Sequence, residues 1–121
     1  MLAPTRILVP TDFSEYSDKA LRQALDIAKQ YKAKVYVFHV IHETVSDKID
    51  DYGLTYPSYV KDMEAKLIAA AKIKLDEQVG KLPQAKEVEV FTGAAIGNPA
   101  EVILKEEAAK KIDLIVIASL G

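Results

Sequence analysis

An open, doubly wound α/β sheet is the fold class this sequence predicts, and three observations point to it. Short apolar runs, Arg6–Thr11 and Asp113–Ile117, show no polar alternation, as expected of parallel strands buried on both faces. These runs alternate with amphipathic segments long enough for helices. One further strand, Glu87–Phe91, alternates charged and apolar residues, which suits a sheet edge with one wet face.

The first strand, Arg6–Thr11, is stopped by Pro10 and leads to Asp12 and then to Ser14, a residue type that caps helices. The first helix is expected over Glu15–Tyr31. Ala20, Leu21, Ala24, Leu25 and Ala28 fall on one face, with Lys19, Arg22, Lys29 and Gln30 outside. Lys34–Ile41, rich in Val, Tyr and Phe, is the second strand. A polar stretch from His42 to Pro57 follows, carrying Asp50, Asp51, Gly53 and Pro57. A connection of this length in a small domain reads as a lid, a binding loop or a mobile insertion.

A second helix is predicted from Ser58 to Val79, with Val60, Met63, Leu67, Ala71, Leu75 and Val79 as its apolar stripe. Gly80 ends it and Pro83 prevents its return. Strand three is followed by Gly93 and Gly97, read as the brackets of a turn. Asn98-Pro99-Ala100-Glu101 is a strong helix start: a capping side chain, proline at the first position and a glutamate for a capping box. That helix is expected to run to Lys110–Lys111. Asp113–Ile117 then forms a fully buried fourth strand.

Right-handed crossovers leave few arrangements. The two most apolar strands belong in the centre and the alternating one outside, so the predicted order is 3-2-1-4. The winding direction reverses between strands one and four. Open α/β sheets bind ligands at the carboxyl ends of the strands flanking such a switch point, and Asp12 and Ala118–Gly121 both emerge there. Strand four would be left as a buried-type edge. The sequence is therefore expected to be one domain over residues 1–121, C-terminally incomplete or covered there by a second chain.

Bulk properties exclude several function classes. Half of the 121 residues are hydrophobic and 28% charged, with a formal net charge of −2, ordinary for a globular domain. No basic block suits a nucleic-acid surface. Lys32–Lys34 and Lys110–Lys111 fall at helix ends, where they compensate the helix dipole. There is no cysteine, hence no disulfide frame. No window approaches a membrane span and no signal segment is seen, so a cytoplasmic protein without membrane contact is expected.

Motif by motif, the chemistry is sparse. No GxGxxG follows the first strand and no GxxxxGK[ST] exists, so the usual dinucleotide turn and P-loop are excluded. His39 and His42 lie on a strand and its exit, and His39 is read as a hydrogen-bonded sheet histidine, not a metal ligand. Ser14 lacks a glycine-flanked nucleophile elbow. Asp12 has two open readings: a carboxylate that accepts free amides of the first helix, or an acceptor for ribose hydroxyls or an adenine amino group. Tyr52, Tyr56 and Tyr59 either cover a bound ring or pack down.

Taken together, Ile7-Leu8-Val9-Pro10-Thr11-Asp12-Phe13-Ser14, Val37-Phe38-His39-Val40-Ile41, Gly93 through Asn98-Pro99-Ala100-Glu101, and Asp113-Leu114-Ile115-Val116-Ile117 resemble the universal stress protein family over essentially the whole chain. The resemblance implies a Rossmann-like five-stranded parallel sheet, a stress-response role and a homodimer through the strand-four/strand-five edge, with unidentified protein partners. In the branch that binds ATP, alone or with Mg, it places the nucleoside against Asp12 and its neighbours Pro10 and Thr11. Adenine would lie between Val40 and Ile117, and the phosphate loop would begin at Ala118 and Gly121. That loop has the pattern G-x-x-G, nine residues, then G and S/T, because glycines let backbone amides approach phosphate. Here the first glycine is replaced by Ala118, while Gly121 matches the second. The alternative is a member that binds no nucleotide and acts as a dimeric interaction module. An enzyme of the wider adenine-nucleotide α-hydrolase-like group is disfavoured, because Pro10-Thr11-Asp12 offers no glycine-rich Ser loop. No catalytic residue is expected, and at most slow ATP hydrolysis.

Overall fold

The computed structural model describes residues 3–42 and 58–118. The strands are β1 (Arg6–Pro10), β2 (Lys34–His42), β3 (Glu89–Gly97) and β4 (Leu114–Ile115), and the helices α1 (Glu15–Tyr31), α2 (Ser58–Gly80) and α3 (Pro99–Ala109). They form one parallel sheet of order β3-β2-β1-β4, as predicted.

The β1 segment earns its central place by composition. Ile7, Leu8 and Val9 are all fully buried, which only a strand covered on both faces allows. Ile7 and Val9 join Val35 and Val37 of β2 in the core beneath α1 and α2. Leu8, one residue out of phase, points to the opposite face, where α3 crosses back over β2 and β3.

Helix α1 has the predicted bounds. Its N-cap Ser14 accepts the Ser17 amide at 3.2 Å, and Lys32 closes it in a left-handed conformation (φ 56°). The expected face, Ala20, Leu21, Ala24, Leu25 and Ala28, is the buried one.

The α2 stripe is corrected in part. Ala71 and Leu75 are buried, and so is Val60, but Met63 is 39% and Leu67 43% exposed. The stripe is apolar along its length, yet burial along it is uneven: complete at Val60 and Leu75, and lost at Met63 and Leu67 between them. Periodicity reports which side chains share a face, not how far the neighbouring layer extends.

Two other boundaries also shift. Pro83–Glu87 forms a 3₁₀ turn, so β3 begins at Glu89. The expected turn between Gly93 and Gly97 is continuous strand, paired with β2 from Phe38↔Gly93 to His42↔Gly97. Gly93 serves packing: a Cβ there would lie 3.1 Å from the Phe38 ring. At Gly97 a Cβ would meet the Val102 side chain at 2.8 Å, so glycine permits the tight entry into α3. Asn98 caps that helix by accepting the Glu101 amide at 3.2 Å.

The β4 segment is shorter and less buried than expected. Only Leu114–Ile115 is regular strand, both residues are half-buried, and Ile117 is 65% exposed. Among the described residues β1 is its one neighbour, so its outer flank gains no cover. Backbone bonds extend the pairing at both ends, from the Asp113 amide to the Arg6 carbonyl and from the Val116 amide to the Leu8 carbonyl, each at 3.0 Å. Asp113 locks the amino ends of β1 and β4 together by accepting the Thr5 hydroxyl (2.7 Å) and the Thr5 and Arg6 amides. Burial pushes its carboxyl up, but these donors outweigh it and hold the group below the usual carboxylate range.

Candidate functional site

At the carboxyl end of β1 the chain makes a tight, over-determined junction. The Thr11 amide still bonds the Phe38 carbonyl at 2.9 Å, continuing the parallel ladder. The Thr11 side chain then works in both directions. Its hydroxyl accepts the Phe13 amide (3.0 Å) and donates to Oε1 of Gln78 (3.0 Å), which is buried on α2. The Gln78 amide in turn donates to Asp18 at 2.7 Å. Phe13 sits in the left-handed region (φ 67°), an unusual conformation for a bulky residue. It is held by its bond to Thr11, by ring contact with His39 at 4.6 Å, and by the Lys74 ammonium 5.6 Å from its centroid.

This junction aims Asp12. The Asp12 amide donates to the Ser17 hydroxyl (3.1 Å), while its Oδ1 accepts that hydroxyl (2.6 Å) and the Ser14 amide (3.0 Å). The hydroxyls of Ser14 and Ser17, with the Ser14 amide, hold its carboxyl down to about 2, against weak opposition from burial. Asp12 is thus an anion at any physiological pH. The first of the two sequence readings holds here: Oδ1 serves the helix start, accepting the Ser14 amide and the Ser17 hydroxyl. His39 is the hydrogen-bonded sheet histidine expected, since its Nδ1 lies 2.7 Å from the Thr11 carbonyl and must donate to it. Among the described residues no group of three or more His, Asp or Glu is placed to hold a metal.

Asp12 opens onto a crevice of about 270 Å³ between the carboxyl ends of β1, β2 and β4 and the start of α3. Pro10, Thr11, Asp12, Val40, Ile117 and Ala118 all line it. These are the residues singled out from the sequence, brought together from three strands; Gly121 lies outside the described residues. The long connection after β2, with Tyr52 and Tyr56, also lies outside them, as does the Tyr59 side chain.

Sequence reasoning missed Ser17, Phe38, His39, Pro99 and Ile103 as site residues, although all five line the same crevice. Ser17 left a signal, a hydroxyl in the first turn just after a capping serine. For Pro99 and Ile103 the sequence carried only a helix start, and the crossover that lays it over the crevice is tertiary. The resulting walls are mainly apolar, with Thr11, Ser17 and His39 as polar side chains and Asp12 as the one carboxylate among the lining residues. Such a site can hold a flat, largely apolar ring and accept hydrogen bonds from adjacent hydroxyls.

A parallel sheet of this order, with a crevice at the switch between β1 and β4, defines a Rossmann-like α/β protein, a class of open sheet whose ligands bind at such switch points. Residues 4–121 match the model of the universal stress protein family. The chain belongs to that family. It is 32% identical over 117 residues to universal stress protein YxiE of Bacillus subtilis, spanning 96% of this chain and 79% of that one. Its backbone resembles the solved structure of MJ0577, a universal stress protein of Methanocaldococcus jannaschii, with a TM-score of 0.72 at 25% identity over 95% of this chain and 74% of that one. A universal stress protein solved in complex with cAMP shares the fold, with a TM-score of 0.60 at 19% identity over 94% of this chain and 71% of that one.

Proposed function

We infer that this chain is a stress-response regulatory protein that binds an adenine nucleotide in the switch-point crevice. The observation that carries the reading is the convergence of Pro10, Thr11, Asp12, Val40, Ile117 and Ala118 on one crevice. The Asp12 carboxylate accepts ribose hydroxyls through Oδ2, while Val40, Ile103 and Ile117 enclose the base. The cAMP complex of a protein with this fold supports the choice of adenine. A volume of about 270 Å³ lies just below the usual range of ligand sites, so the crevice suits the nucleoside part and not the whole nucleotide. No lysine or arginine lines it among the described residues, so the phosphates take nothing from these walls. ATP, with Mg carried on its phosphates, is the full ligand, and no residue is assigned a catalytic role.

Calorimetric titration with ATP, AMP and cAMP tests this. Binding is expected for the wild type, and Asp12→Ala weakens it about 10-fold or more, the equivalent of a charged hydrogen bond of roughly 1.5–3 kcal/mol. Folded protein that gives no heat with any of the three at millimolar concentration would refute the reading. Ala118, in place of a glycine, favours the second reading, a dimeric interaction module without nucleotide. That reading predicts the silent titration.

A further inference from the structure

We propose that the outer edge of β3 is a self-association surface, joining two copies of this chain antiparallel into one continuous sheet. The nine-residue strand Glu89–Gly97 pairs along its whole length with β2 on one side, and among the described residues no strand pairs with the other. Edges of this kind are normally blunted by lysine, proline or a bulge. Here Glu89 is the one charged residue, at the strand's beginning, and Val90 to Gly97 carry no charge and no proline.

The sequence of the strand is self-complementary in one register. With a twofold axis through Gly93, Phe91 faces Ala95 of the second copy, Val90 faces Ile96, Thr92 faces Ala94, and Glu89 faces Gly97. Paired residues share a face of the sheet, so large side chains meet small ones on the face of Phe91; on the other, Val90 meets Ile96, and Thr92, whose hydroxyl is bonded to Lys72 and Asp76 of α2, meets the small Ala94. The two Glu89 carboxylates lie at opposite ends and do not repel.

The surroundings fit this register. Phe91 is 41% exposed, although it is stacked on Tyr36 at 5.1 Å. Beside Ala95 runs a cleft of about 340 Å³, walled by Tyr36, Phe38 and the chain's own Phe91, with Glu106 and Lys110 on its helix side. Phe91 of the second copy, seated over Ala95, enters that cleft. A twofold pair also closes the edge, whereas parallel addition would leave a new edge open at every step. The proposal is independent of nucleotide binding and uses a different edge from that of β4.

The chain has no cysteine, so cross-linking tests the register directly. Phe91→Cys and Ala95→Cys chains are prepared singly, mixed and mildly oxidised. Facing positions in an antiparallel pair lie about 4.5–5.5 Å apart between Cα atoms, within disulfide range. Two Phe91 positions are four residues apart along the pair, roughly 13 Å, which is too far. The expected result is a covalent dimer from the mixture and none from either variant alone. Sedimentation of the wild type is expected to show dimer, and Ala95→Lys to lower the dimer fraction. A wild type that stays monomeric at high micromolar concentration overturns the proposal. So does a dimer whose mixed cysteine chains fail to link, or one in which Phe91→Cys links to itself.

Discussion

Replacing Thr11 by valine removes one hydroxyl and almost no volume, so its cost isolates the hydrogen-bond network behind Asp12. In the native chain that hydroxyl accepts the Phe13 amide and donates to Gln78 Oε1, each at 3.0 Å. After substitution Gln78, only 6% exposed, keeps its bond to Asp18 but loses the donor to its carbonyl oxygen. The partly buried Phe13 amide loses its acceptor in a backbone conformation already unfavourable for a bulky residue. Leaving a buried polar group unsatisfied costs about 1–3 kcal/mol, and a partly wet one less. The expected destabilisation is thus about 2–4 kcal/mol by urea unfolding. Thr11→Ser, which restores the hydroxyl, recovers most of it. The double variant Thr11→Val/Gln78→Met removes the stranded carbonyl, so it should lose about 1–2 kcal/mol less than the sum of the singles. A Thr11→Val protein within about 0.5 kcal/mol of wild type, or strict additivity in the double variant, would show that the network is not what fixes the junction.

Leu75→Ala should cost about 2–5 kcal/mol, because the side chain is fully buried, whereas Leu67→Ala on the same helical stripe should cost under about 1 kcal/mol. Equal losses in chemical denaturation would contradict the limited cover of α2. Lys32→Gly should raise the unfolding free energy by about 1 kcal/mol, since Lys32 holds a left-handed C-cap conformation that glycine adopts without strain; a loss on thermal unfolding would count against it. The Asp12 carboxyl should titrate near pH 2 by carbon NMR. Its folded value lies below the ordinary 3.8, so its contribution to stability is present above about pH 4 and lost as the pH falls towards 2. Ser17→Ala should move the midpoint up, and a wild-type midpoint near 3.8 would remove the case for the Ser14–Ser17 cradle.

The parts of the fold legible in the sequence share a cause: each is fixed by local chemistry. Ser14 and Asn98 as caps, the inward face of α1 and the unalternating Ile7-Leu8-Val9 depend on residues within a few positions of one another. Strand order was readable because crossover handedness and the contrast between apolar β1 and alternating β3 leave little choice. Where the expectation failed, a distant partner had intervened. Gly93 looked like a turn residue, but the deciding neighbour is the Phe38 ring across the sheet. Met63 and Leu67 looked like core, but burial needs a layer opposite them.

The candidate site divides along the same line. Asp12 was placed by topology alone, because the carboxyl end of a central strand at a switch point is a topological address, whereas Pro10, Thr11, Val40 and Ile117 followed from the family resemblance. Ser17, Phe38, Pro99 and Ile103 reach the crevice only because α1 starts and α3 returns at that address. Sequence by itself determined the elements, their order in the sheet and the carboxylate at its tip, since these follow from short-range preferences and chain handedness. Tertiary structure decided what surrounds that carboxylate and which edges stay open, since cover and enclosure are set by segments far apart in the chain.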